Sequence, residues 1–144
     1  MRAHATAAAL IAVPIAACGG GLSKSELVAN GDAICKRVNA RMAKEPEPKS
    51  AADLEALAER TVEISDPAID DMAALEPPGE LEQDFDEFVA SLREQRDLTK
   101  QIGAAAGAGD TAKLEEVGAA AQKAQAEYRK LSVKIGFKEC GGGN

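Results

Sequence analysis

Residues 111–136, TAKLEEVGAAAQKAQAEYRKLSVKIG, place Leu114, Val117, Ala121, Ala124, Tyr128, Leu131 and Ile135 at alternating steps of three and four. That spacing gathers these side chains on one face of an α-helix, whereas a half-buried strand would need alternation by two. Asp110 or Thr111 stands where an N-cap belongs, and Gly136 stands where helices commonly stop in the left-handed conformation. The stretch predicts an amphipathic helix that needs partners for its apolar face, and the rest of the chain supplies similar runs.

Upstream, Leu81, Phe85, Phe88, Val89, Leu92 and Ile102 mark a third helix, with Glu80, Glu82, Asp84, Asp86 and Glu87 crowding its first turns. Acidic side chains there favour the positive end of the helix dipole. The Gly and Ala stretch from Gly103 to Gly109 reads as a flexible connector between helices three and four. Ser50 and Asp53 open the second run, through Leu54, Leu57, Thr61 and Ile64. At Asp66-Pro67 this run either kinks or restarts as a second short helix carrying Ile69, Met72 and Leu75, until Pro77-Pro78-Gly79 closes it. Ser23 and Glu26 have capping-box spacing ahead of Leu27, Ile34, Val38 and Met42, so the first helix is expected over 23–43. Gly31 weakens that helix, and Asn30-Gly31-Asp32 is a possible break within it. The fold class expected is all-α, an up-and-down four-helix bundle, because short connections make consecutive helices antiparallel neighbours.

Composition agrees with helices. Apolar residues form 45% of the chain, yet there is no Trp, one Tyr and three Phe, so the core must be built largely from small side chains. Ala favours helices, while β-branched and aromatic residues favour strands. The net charge of −7, with no basic stripe interleaved with aromatics, argues against nucleic acid as a partner.

The chain opens with Arg2 and His4, runs apolar from Ala5 to Val13, and reaches Ile15-Ala16-Ala17-Cys18 after Pro14. A basic start, a short apolar run and small residues before a scissile bond form a secretory signal peptide, too short for a comfortable transmembrane span. The four residues ending at Cys18 resemble the lipobox of bacterial lipoproteins. That resemblance implies that residues 1–17 are removed and that the Cys18 thiol receives a diacylglycerol. It also implies anchoring on the extracytoplasmic side of a membrane in the cell envelope. Ile15 stands where Leu is commonest but keeps the aliphatic bulk. Residues 18–22, with Gly19, Gly20 and Gly21, then read as a flexible tether, residues 23–140 as the helical domain, and 141–144 as a frayed tail.

With Cys18 assigned to lipid, Cys35 and Cys140 remain as a pair near the two ends of the mature chain. In an oxidising exported compartment they are expected to form a disulfide, and an even number of helices brings them together.

Candidate chemistry is sparse. The only His is His4, in the removable segment, which excludes most triads and zinc sites, and no CxxC pair or phosphate-binding Gly-rich loop is present. Asp70 with Asp71 reads as surface charge. Glu80, Asp84 and Glu87 share one helical face and form the one weak candidate for a divalent cation. Arg93, Arg96 and Lys100 form a basic stripe expected to pair with Glu94 and Asp97. Tyr128 is expected in the core with its hydroxyl at the rim. These readings point to a non-enzymatic, membrane-anchored protein without cofactors that binds or organises another envelope protein. The alternative is a carrier or sensor holding a small apolar ligand between its helices. An exposed apolar patch favours the first and an enclosed cavity the second.

Overall fold

The computed structural model describes residues 21–141, so the expected leader over 1–17, Cys18 and residues 142–144 lie outside the described part. Four helices follow one another: α1 Lys24–Met42, α2 Ala51–Ala73, α3 Glu82–Ala108 and α4 Thr111–Ile135, with a single 3-10 turn, Gly79–Leu81, leading into α3. They form a four-helix bundle, with no strand among the described residues. Helices α2 and α3, and α3 and α4, pack along their lengths, whereas α1 rests mainly on α2. No described helix is long and apolar enough to cross a membrane.

The caps follow the local sequence. The Ser23 hydroxyl accepts from the Glu26 amide while the Ser23 amide donates to Glu26 Oε2 at 2.9 Å, completing the expected capping box. Ser50 accepts from the Asp53 amide at 3.1 Å, and Asp110 accepts from the Lys113 amide at 2.9 Å. Helix α4 ends at Gly136 with φ of 105°, as the sequence suggested.

Pro67 lies inside one continuous α2. A proline in a helix interior costs about 3 kcal/mol, which here is offset by burial of Ile64, Ile69 and Met72 on either side of it. Helix α1 likewise runs unbroken through Gly31.

The stretch from Gly103 to Gly109 is a correction. It is not a flexible connector: α3 continues through Ala108, and Gly103, Ala105 and Ala106 are buried. A Cβ on Gly103 would sit 2.8 Å from the Ala58 Cβ, so the small residues let α2 and α3 approach closely, and the packing outweighs the helix cost of glycine. Only Gly109, at φ 67°, and Asp110 are left to make the turn.

Cys35 and Cys140 are joined by a disulfide, with Cα atoms 5.1 Å apart. The chain after α4 folds back along α1, where Asp32 Oδ1 accepts from the amides of Lys138 and Glu139, both at 2.9 Å. Asn39 Nδ2 adds a bond to the Glu139 carbonyl at 2.9 Å. At this end Phe88 is fully buried, its ring 5.3 Å from Tyr128 and 5.0 Å from Phe137. Leu22, which the sequence assigns to the tether, belongs instead to the folded part: its side chain packs on the core and its amide bonds the Glu76 carbonyl at 2.8 Å.

Candidate binding cavity between the helices

A bundle stripe filled with Leu, Ile and Phe packs solid; this one is interrupted. Along α3 the inward positions run Phe85, Phe88, Leu92, Gln95, Thr99 and Ile102, and along α2 they include Thr61 and Ser65 between Ala58 and Ile69. Polar side chains of two antiparallel helices therefore meet at one level. They leave a partly open cavity of about 200 Å³, which Ile34, Cys35 and Val38 border from α1 and Tyr128 from α4. Its lining is mainly apolar.

The hydroxyls at this level are committed to their own helices. Thr61 Oγ1 donates to the Leu57 carbonyl at 2.8 Å, Ser65 Oγ to Val62 at 3.2 Å, and Thr99 Oγ1 to Gln95 at 2.8 Å. Gln95 Nε2 differs: it is buried and, among the described residues, is the side-chain nitrogen or oxygen so placed without a partner. Burying an unbonded amide donor costs about 1–3 kcal/mol, so the polar layer is not there for stability. Arg96 edges the cavity with its guanidinium held by Asp97 at 2.9 Å and by Asp66 of α2 at 3.4 Å. The expected pairing within the α3 stripe is thus joined by a bond to the next helix.

Tyr128 is buried, as its place on the α4 face required, and also borders the cavity. Burial pushes its phenol up to about 12, against a smaller opposing effect of a hydrogen bond from Ser132. The raised value stabilises the neutral form in the folded state, so its contribution is complete below the unfolded pKa near 10 and is lost as pH rises toward 12. At about 1.4 kcal/mol per unit, roughly 2–3 kcal/mol of stability should disappear across that window. Melting curves recorded from pH 9 upward should fall more steeply for the native protein than for Tyr128→Phe; parallel curves would contradict the burial argument.

Other candidate residues do not assemble. Asp84 binds Lys134 Nζ at 2.6 Å, and no His, Cys, Asp and Glu are grouped closely enough to hold a metal ion among the described residues, so Glu80, Asp84 and Glu87 are not brought together as a ligand set. Asp71 pairs with Arg37 at 2.8 Å on the surface. The disulfide cysteines are the predicted site residues that the fold does unite, while Cys18 lies outside the described residues. Sequence reasoning missed Gln95, Ser65 and Thr99. Their signal was present, since each occupies a position where helical periodicity calls for an apolar residue. Comparison with protein-family models, with curated proteins and with solved structures finds no match to this chain.

Proposed function

We propose that this chain is an exported, lipid-anchored binding protein that holds a small, mainly apolar ligand in the cavity between its four helices. The observation that carries the reading is the cavity itself, set where Thr61, Ser65, Gln95 and Thr99 interrupt the apolar stripe. Apolar cavities of about 150 Å³ already accept benzene, so about 200 Å³ is enough for a ligand of roughly six to ten non-hydrogen atoms. Binding rather than turnover fits the lining, where the Thr61, Ser65 and Thr99 protons are spent on backbone carbonyls and neither a His nor a carboxylate borders the space.

Between the two readings open on the sequence, the distribution of apolar surface favours the ligand over an envelope protein partner. Val133, 76% exposed, is the large hydrophobic residue left on the surface among the described residues, and one such residue makes no patch. The anchor rests on the lipobox-like segment ending at Cys18. Because Leu22 is already part of the folded domain, only Gly19, Gly20 and Gly21 separate it from the proposed lipid. Three residues span at most about 11 Å, which holds the domain close to the bilayer.

Native mass spectrometry of the protein extracted from its own membrane without reductant tests both parts. The expected spectrum shows a chain beginning at Cys18 with diacylglycerol attached, one disulfide and a stoichiometric small companion mass. The companion should disappear in Ser65→Met, which fills the cavity. A chain beginning at Met1 rejects the anchor. Absence of any companion, combined with no thermal shift on adding ethylbenzene, rejects the cavity reading.

A further inference from the structure

A cavity bordered by four helices exchanges an occupant that fills it by widening a wall, and the walls here are unequally firm. Helices α2, α3 and α4 pack along their lengths, whereas α1 rests mainly on α2. The buried residues of α1 are Leu27, Gly31, Ile34 and Cys35, and past Cys35 none is buried. Yet Val38 and Asn39 border the cavity from that second half of the helix. Resting on the ligand-binding reading above, we propose that residues 36–50, the last two turns of α1 with the connection to α2, are a hinged gate over the cavity. The gate is fixed at Cys35 by the disulfide and latched to α2 by two ion pairs.

The hinge and the latches are separate sets of contacts. At the fixed end Cys35 is bonded to Cys140, the Phe137 ring lies over Gly31, and Asp32 accepts from the Lys138 and Glu139 amides. These contacts hold α1 up to residue 35. Beyond it, Arg37 pairs with Asp71 at 2.8 Å, Arg60 pairs with Glu45, and Asn39 Nδ2 donates to the Glu139 carbonyl at 2.9 Å. Pro46 and Pro48 keep the connection extended and stiff, so it moves with the helix end instead of absorbing the motion. The Arg37 and Asp71 side chains are 61% and 58% exposed, a setting in which an ion pair favours the closed form by only about two- to fivefold. Elements with few buried contacts and solvent-exposed ties are those that open first. None of Arg37, Glu45, Arg60 and Asp71 borders the cavity, so the latches govern how often the gate opens and leave the fit of the closed cavity to its own lining.

The full chain in lipid nanodiscs is titrated with ethylbenzene, and binding and exchange are read from the methyl signals of Ile34, Ile69 and Met72, which border the cavity. Free ethylbenzene is measured in the headspace, so partition into lipid does not distort the comparison. Glu45→Gln with Asp71→Asn opens both latches. Glu116→Gln with Glu127→Gln makes the same change of charge at the Lys113 and Lys130 pairs of α4, away from the gate. The latch variant should speed association and dissociation together by about three- to tenfold with affinity unchanged, while the α4 control exchanges at the native rate. Roughly 1 M salt, which screens exposed charges, should speed exchange in the native protein and leave the latch variant as it was. The amides of residues 38–42 should exchange their hydrogens more slowly once ethylbenzene saturates the cavity, a response that fraying of a helix end alone would not give. Unchanged rates in the latch variant, or equal acceleration in the α4 control, would overturn the gate while the cavity reading survives. Faster dissociation alone, with affinity lost in proportion, would also overturn it, because the ion pairs would then be shaping the wall. If ethylbenzene leaves the cavity methyls unperturbed in every form, the ligand-binding reading fails, and the gate fails with it.

Discussion

Reduction of the Cys35–Cys140 disulfide should lower the unfolding free energy by about 3–5 kcal/mol, a large part of the stability of a small domain. The bond joins residues separated by 105 positions, and loop-closure entropy grows with the length enclosed. The packing makes the bond matter further. Helix α1 rests mainly on α2, and its ties to the end of the chain include the disulfide, the Phe137 ring packed over Gly31, the Asp32 bonds to Lys138 and Glu139, and the Asn39 bond to Glu139. Once the covalent tie is opened, the polar ties are exposed to competition from water, and α1 becomes the element most easily separated from the bundle. Urea unfolding with and without reductant measures the effect, and Cys35→Ala with Cys140→Ala serves as the permanent form. A shift below about 1 kcal/mol would mean that packing alone holds α1. Since Cys35 also borders the cavity, the reduced protein should bind ethylbenzene more weakly than the oxidised one.

The parts of this fold that were legible in the sequence are those set by chemistry within one or two turns. Ser23 with Glu26, Ser50 with Asp53, Asp110 and Gly136 each act on neighbours a few residues away, and each cap lies where the local pattern put it. Features decided across helices were harder to read. Gly103 and Gly107 argue for a loop on local propensity, but both lie within α3, and Gly103 faces Ala58 of α2 where a Cβ would collide, so a residue that weakens a lone helix permits a close pair. Pro67 left two outcomes open because the cost of a proline is local while the burial that offsets it is tertiary. The cavity was hidden for a related reason. Gln95, Ser65 and Thr99 look like ordinary helix residues singly, and only the facing of α2 and α3 shows that they lie at one level. The cysteine pairing was legible because three cysteines, one with another proposed role, left a single combination.

Phe137→Ala should cost about 3–5 kcal/mol, and its effect should be coupled to Gly31. The Phe137 ring is buried against Phe88 and over α1 at Gly31, where a Cβ would lie 2.3 Å from Cε1 of the ring. Gly31 is therefore in the middle of a helix despite its poor propensity because an aromatic ring occupies the place of its side chain. Gly31→Ala alone gains about 1 kcal/mol of helix propensity but must displace a ring wedged between the helices, so a net loss of about 1–3 kcal/mol is expected. In a Phe137→Ala background the collision is gone and the propensity gain remains. Gly31→Ala should there become neutral or stabilising, so the double variant is more stable than the sum of the single losses predicts. The same ring lies just before Cys140, and an arrangement that seats it also brings the cysteine to Cys35. Refolding from the reduced state should consequently re-form the disulfide more slowly in Gly31→Ala than in the native chain. Additive losses in the double variant, with unchanged reoxidation, would show that the ring and the glycine are neighbours without being a fitted pair.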